Sequence, residues 1–145
     1  MQTTWAYPAV FTELDGEIVV RFPDIPEAVT GGDTMEEART LAADALEEAI
    51  LGYLAAGSPI PAPRKPGKSE EAVPLDPLTA GRAAVANLMA KQHISKVALA
   101  NLIQRDEKVV RRILGGAGVV TMENVTTALK ALGARPALAV DVSGR

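Results

Sequence analysis

The sequence predicts an α+β chain of two modules, a small antiparallel-sheet-plus-helix domain followed by an all-α domain that carries a terminal β-strand. Three observations carry this reading. Asp15-Gly16 lies between two β-like segments and is a strong two-residue hairpin signal. Thr34-Met35-Glu36-Glu37 is a capping box at the head of a long apolar stripe. Charge also inverts along the 145 residues, although the net value is only −3. Residues 1–68 hold 11 Asp/Glu and 5 Lys/Arg, a balance of −6. Residues 69–76 add −3, and residues 77–145, with 4 acids and 10 bases, stand at +6. Such asymmetry points to modules with different partners: a polyanion for the basic half, a basic protein for the acidic half.

Residues 5–13, with Trp5, Tyr7, Val10 and Phe11, read as the first strand, and Glu17 to Phe22 as its return. Pro23, Asp24 and Pro26 break that strand. Ala28 to Thr30 forms a short third strand that Gly31-Gly32 ends. The helix opened at Thr34 runs to about Ala56, with Ala38, Leu41, Ala42, Ala45, Leu46, Ala49 and Tyr53 on one stripe, and Gly57 is placed to end it. Residues 1–57 therefore form the first module. Residues 58–76 read as a Pro/Gly-rich linker, because SPIPAPRKPGK cannot be regular, with an extra strand available at 72–75. Pro59, Ile60 and Pro61 either stiffen this connection or pack on the sheet.

Asp76-Pro77 starts the second module, residues 77–145, with Asp as cap and Pro at the first helical position. Its helices fall at about 77–92, 95–103, 106–114 and 121–132, with the loop Gly115-Gly116-Ala117-Gly118 before the last and Gly133 after it. Arg135 to Val142 alternates like a strand, and a lone strand leaves its backbone groups unpaired. The simplest partner is the same strand of a second copy. That predicts a two-fold homodimer joined by an antiparallel ribbon, with Leu138, Val140 and Val142 in the contact, and leaves open assembly to a tetramer.

Ser95 to Leu114, SKVALANLIQRDEKVVRRIL, is the most informative stretch. Ser95 and Asp106 are N-caps of two short helices separated by a polar break. Val97, Leu99, Ala100, Leu102 and Ile103 supply the apolar face of the first; Val110, Ile113 and Leu114 point inward from the second. Glu107, Lys108, Arg111 and Arg112 are left outside, so the second helix is cationic, as a helix entering a DNA major groove must be. Lys96 lies where a helix start meets a phosphate, and Arg112 suits a bidentate contact to guanine. Glu107 favours the positive end of the helix dipole. The segment resembles the helix-turn-helix of phage-repressor-like regulators without a gap, including the small Ala100 where the helices cross. It departs at the turn, where Gln104 replaces the usual Gly and Arg105 the usual apolar residue.

Other chemistry is poorly served. Without cysteine there are no disulfides or thiolate metal sites. The apolar runs are too short to span a membrane and no leader pattern is visible, so a cytoplasmic location is expected. Asp24, Asp33, Asp44, Glu47 and Glu48 have no spacing that demands a shared two-metal site, and His93 has no co-ligand. The glycines of 115–118 are followed by no Lys-Ser/Thr, so they make no phosphate loop. No catalytic residue, cofactor or metal is expected.

The order of elements carries a more specific likeness. Tyr7-Pro8-Ala9, Phe22-Pro23-Asp24-Ile25-Pro26, Thr30-Gly31-Gly32-Asp33-Thr34, Glu36-Glu37-Ala38, Asp44-Ala45-Leu46 and Pro59-Ile60-Pro61-Ala62-Pro63 resemble the HicB antitoxin domain. The second module resembles the DNA-binding domain of many such proteins, notably at Asp106 to Arg112 and Ala131-Leu132-Gly133. The resemblance implies a partial ribonuclease-H-like fold for the first module. It implies a non-enzymatic antitoxin that binds a small basic, mRNA-cleaving HicA-type toxin and represses its own operon by binding operator DNA. On that resemblance Phe22, Asp24, Ile25 and Asp33 fall on the toxin-binding side, and Ser95, Lys96, Glu107, Lys108, Arg111 and Arg112 on the DNA side. The alternative is a stand-alone regulator whose acidic domain senses a ligand or partner.

Overall fold

A computed structural model describes residues 2–142; residues 143–145 of the second module lie outside the described residues. Strand β1 (Ala6–Leu14) turns at Asp15-Gly16 into β2 (Glu17–Arg21), and β3 (Val29–Gly32) follows. Asp15 and Gly16 both take positive φ, 51° and 78°, which matches the twist of the strands they join. Helix α1 (Met35–Ala56) is followed by β4 (Glu71–Pro74), and the antiparallel sheet has the order β3-β2-β1-β4. Gly31-Gly32, expected to end the third strand, instead lies within β3, because it pairs with Val19 and Ile18.

Thr34 caps α1 by accepting from the Glu37 amide at 3.1 Å, and Glu37 accepts in return from the Asp33 amide at 3.2 Å. Ala38, Ala42, Leu46, Ile50 and Leu54, one helical turn apart, bury the inner stripe against the sheet. The first core joins these to Tyr7, Ala9, Val20, Phe22, Ile25 and Val73.

The Pro-rich segment expected to be a linker is part of this module. Ile60 is 6% exposed within the first core. Its neighbour Pro61 accepts from the Tyr7 hydroxyl at 2.6 Å, and the Ile60 carbonyl accepts from Asn87 at 3.2 Å. Arg64 then makes a fork on Glu70 at 2.8 and 2.9 Å and reaches Asp24 at 2.8 Å. The prolines at 59, 61, 63 and 66 limit the unfolded freedom of this stretch, and these contacts fix its place in the fold.

The second module comprises α2 (Pro77–Gln92), α3 (Lys96–Ile103), α4 (Glu107–Ile113) and α5 (Met122–Ala131). Helix α2 is shared. Ala83 enters the first core, whereas Val85 and Met89 join Leu99, Ile103, Val110, Ile113, Val125, Leu129 and Leu132 in the second. Gly81 lets α5 approach α2: a Cβ there would lie 2.6 Å from Val125 Cγ1. Arg135–Val142 has no regular structure within the single chain, where the sequence predicts a strand. A strand needs a partner for its backbone groups, and among the described residues the chain offers it none.

Candidate functional site

Two surfaces stand out. The first is the pair α3–α4. Ser95 Oγ accepts from the Ala98 amide at 3.0 Å, and Asp106 accepts from the Lys108 amide at 2.9 Å, so both caps form. The turn between the helices is closed by Gln104 in the left-handed conformation, φ 54° and ψ 47°. Its amide and that of Arg105 donate to the carbonyls of Asn101 and Ala100, at 3.3 and 3.1 Å. Leu99, Ala100 and Ile103 face inward from α3, Val110 and Ile113 from α4. Val97 and Leu102, expected on the buried face, are 55% and 58% exposed. Helical spacing puts Leu99, Ala100 and Ile103 on one face of α3, and Val97 and Leu102 fall to either side of it.

The cations of this pair do not all behave alike. Lys96 and Lys108 are exposed. Arg111 pairs with Glu107 one turn earlier at 3.0 Å while remaining on the surface. That contact gives Glu107 a second role, orienting a guanidinium, besides the favourable place of a carboxylate in the first turn. Arg112, the sequence's choice for reading guanine, is half-buried instead. Its side chain folds back along the loop after α4, where a Cβ on Gly118 would lie 2.4 Å from Arg112 Nε. Helical spacing fixes where a Cβ points, and the long side chain above it has turned inward onto a glycine.

The second surface is the face of the sheet that α1 leaves open. Pairing alternates side chains across the sheet, so Phe11 and Val20 face α1 while Val10, Thr12, Leu14, Val19 and Arg21 face away. With Val29, Pro23 and Pro26 these line a shallow groove of about 530 Å³. Leu14 and Val29 are 50% and 55% exposed there. Phe22 and Ile25, expected to face a partner, are instead core residues at 2% and 0% exposure. They anchor the loop by turning inward, which puts Pro23 and Pro26 outside. Two backbone bonds fold the loop, from Ile25 to the Phe22 carbonyl and from Ala28 to the Ile25 carbonyl.

Asp24 is partly exposed and neutralised by Arg64, whereas Asp33 is exposed just before the α1 cap. Glu27 accepts from the Tyr53 hydroxyl and so ties the loop to α1. Burial, reinforced by that carboxylate, pushes the Tyr53 phenol up to about 12. Burial likewise raises the Tyr7 phenol. The Arg64 fork and the Gly67 amide bring Glu70 down to about 2. These are structural roles. Val10, Val19, Arg21 and Val29 were not singled out by the sequence as lining a surface, although the alternation Val10-Thr12-Leu14 on β1 was a signal of a second, open face.

The tail residues Leu138, Val140 and Val142 are 72%, 73% and 87% exposed in the single chain and lie on one side of the alternation. Among the described residues no group of three or more His, Asp or Glu side chains could hold a metal ion. Among the same residues no helix is long and apolar enough to cross a membrane.

Residues 6–84 match the family described as the HicB_like antitoxin of bacterial toxin-antitoxin systems. The chain is 35% identical over 133 residues to Antitoxin HicB 2 of Photorhabdus laumondii, which covers 92% of this chain and 94% of that one. It is 32% identical over 132 residues to Antitoxin HicB of Pseudomonas fluorescens, covering 90% of each. It is 30% identical over 128 residues to Antitoxin HicB of Escherichia coli K12, covering 88% of this chain and 93% of that one. These likenesses extend beyond the sheet module into the helices.

Proposed function

The chain belongs to the HicB-like antitoxin family of bacterial toxin–antitoxin systems, and from that membership we propose that it does two things. Its N-terminal module binds and neutralises a cognate HicA-type mRNA-cleaving toxin. Its C-terminal helices, a helix-turn-helix, bind operator DNA as a dimer and repress the operon that encodes both proteins.

The charge inversion is the observation that carries this reading. The segment 58–76 folds into the sheet module, so that module's acids include Glu70, Glu71 and Asp76, against a +6 helical module. An acidic module attracts a cationic RNA-binding toxin at enhanced rate and repels RNA from the same surface. The open groove between Pro23, Pro26 and the β1–β2 face supplies an apolar centre for the contact, with Arg21 in its lining, and Asp33 is an exposed carboxylate just before α1. Asp24 contributes less, because Arg64 already neutralises it.

On the basic module Lys108 and Arg111 are the residues best placed for base edges, with Lys96 and the cap of α3 at Ser95 on the phosphate backbone. Glu107 sets the reach of Arg111. Arg112 is assigned to the structure of the loop. Two copies joined through residues 135–142 would present two half-sites at a fixed spacing.

Purification of the tagged full-length chain from its native host tests the proposal. A small basic protein should co-purify, and RNA cleavage by that protein should be blocked in the complex. Recovery of the chain without such a partner, with intact DNA binding, would favour a stand-alone regulator.

A further inference from the structure

Helix α4 has seven residues, and isolated helices shorter than about 12–15 residues are marginal in water. It must be held from outside, and its carboxyl end is held at two points. Arg82, on α2, donates from Nε to the Ile113 carbonyl at 3.0 Å and from Nη2 to the Arg112 carbonyl at 3.2 Å. A guanidinium there supplies a donor to the Ile113 carbonyl and a further one to the Arg112 carbonyl, and it faces the negative end of the helix dipole. Behind Arg82 stands α1. Its Glu47 accepts from the buried Thr79 hydroxyl of α2, and its charge opposes the lowering that burial imposes on the Arg82 guanidinium.

The second hold is steric and independent of the first. Gly115 follows the C-cap Leu114 of α4, with φ +106°, and its amide donates to the Arg112 carbonyl at 3.2 Å. It lies on the last turn of α1: a Cβ at this position would come within 2.7 Å of the Ala55 amide nitrogen and 2.8 Å of the Leu54 carbonyl carbon. The chain leaving α4 therefore rests on backbone of the helix whose inner stripe packs on the sheet.

We propose that Arg82 and Gly115 are positioning residues that seat α4 against α1, making the antitoxin module a working part of the DNA reader. Neither residue needs to touch DNA. The proposal rests on the reading of α4 as the helix that enters the groove. Besides the links made by α2, it couples the two modules at the carboxyl end of α4, so a partner that shifted α1 would shift the reading helix.

The test uses the full-length chain and three variants, Arg82→Met, Arg82→Lys and Gly115→Ala. Two quantities are measured. The first is amide hydrogen exchange at Val110 to Leu114 relative to the amides of β1 and β2. The second is the ratio of affinities for a duplex from upstream of the gene and for an unrelated duplex, at two salt concentrations. Local opening of α4 should accelerate its exchange by about tenfold in Arg82→Met, with the sheet amides unchanged. The affinity ratio should fall by a similar factor while the salt slope stays as it was, because no phosphate contact is lost. Arg82→Lys, which keeps a cation at the helix end, should recover part of both effects. Gly115→Ala should loosen α4 with Arg82 intact. Unchanged α4 exchange in Arg82→Met and Gly115→Ala would overturn the proposal, and so would equal acceleration in α4 and the sheet. Loosening of α4 in a chain whose native form does not discriminate between the duplexes would support the positioning role and refute the DNA-reading assignment instead.

Discussion

Replacing Gln104 by Gly should stabilise this protein, against the usual cost of adding glycine. Among the described residues each of the helices α1 to α5 is followed, at the C-cap or the next residue, by a positive φ: Gly57 at 67°, His93 at 56°, Gln104 at 54°, Gly115 at 106° and Gly133 at 86°. Each closes with the same pair of backbone bonds, as in Gly57 to Leu54 and Ser58 to Tyr53, or Gly133 to Lys130 and Ala134 to Leu129. Three ends use glycine, and two force an L side chain into the left-handed region. That conformation costs a Cβ-bearing residue roughly 1–2 kcal/mol. Glycine returns ~0.5–1 kcal/mol of this through the larger freedom of its unfolded chain. Gln104 is exposed, and among the described residues its side chain makes no hydrogen bond, so little else is lost. The net gain expected is ~0.5–1 kcal/mol, or a rise in Tm of about 2–3 °C for a chain this size. Urea and thermal unfolding of Gln104→Gly would measure it, with the urea m-value unchanged. Gly133→Ala is the reciprocal control: nothing lies within 4 Å of the added methyl, so its loss of ~1 kcal/mol would be conformational alone. A destabilised Gln104→Gly together with a neutral Gly133→Ala would refute the reasoning.

Other outcomes follow from the same structure. Ile60→Ala should cost about 2–4 kcal/mol by chemical denaturation, as for any buried isoleucine, whereas the same change in a solvated linker would cost almost nothing. The Gly67 amide donates to Glu70 at 2.6 Å, and the Glu70 pKa lies below its ordinary value, at about 2. The support that Glu70 gives to this loop should therefore be complete above about pH 4.5 and lost as pH falls through about 2. NMR titration of the Gly67 amide should show this midpoint, and Arg64→Met should move it upward. Arg111→Ala should lower operator affinity by ~1–3 kcal/mol and relax specificity, while Lys96→Ala should weaken all sequences alike and reduce the salt slope by about 1. Deleting residues 136–145 should leave a monomer in sedimentation analysis; an unchanged dimer would exclude the ribbon.

Much of the architecture was legible because helix ends and hairpins are written locally. Thr34, Asp76, Ser95 and Asp106 each cap the helix that the sequence starts at them. Asp15-Gly16 makes its turn, and residues 72–75 overlap β4. What was hidden depends on the fold as a whole. Proline and glycine in 58–68 exclude regular structure, but they leave open whether Ile60 packs on the sheet and say nothing of Arg64 bridging Asp24 and Glu70. The Phe22 to Pro26 motif reads as a surface loop, yet its two large apolar residues are the buried ones. On α3 and α4 the period located Leu99, Val110 and Ile113 correctly. It could not foresee that Val97 and Leu102 would miss the core, or that Arg112 would lie down on Gly118.

The most direct measurement of the antitoxin role is a cell-free mRNA cleavage assay with the small basic protein encoded beside this gene, titrated with the full-length chain. Cleavage should stop near one chain per toxin, and an Asp33→Lys, Val29→Glu double variant should need a large excess. Undiminished cleavage at saturating native chain would contradict neutralisation by this protein.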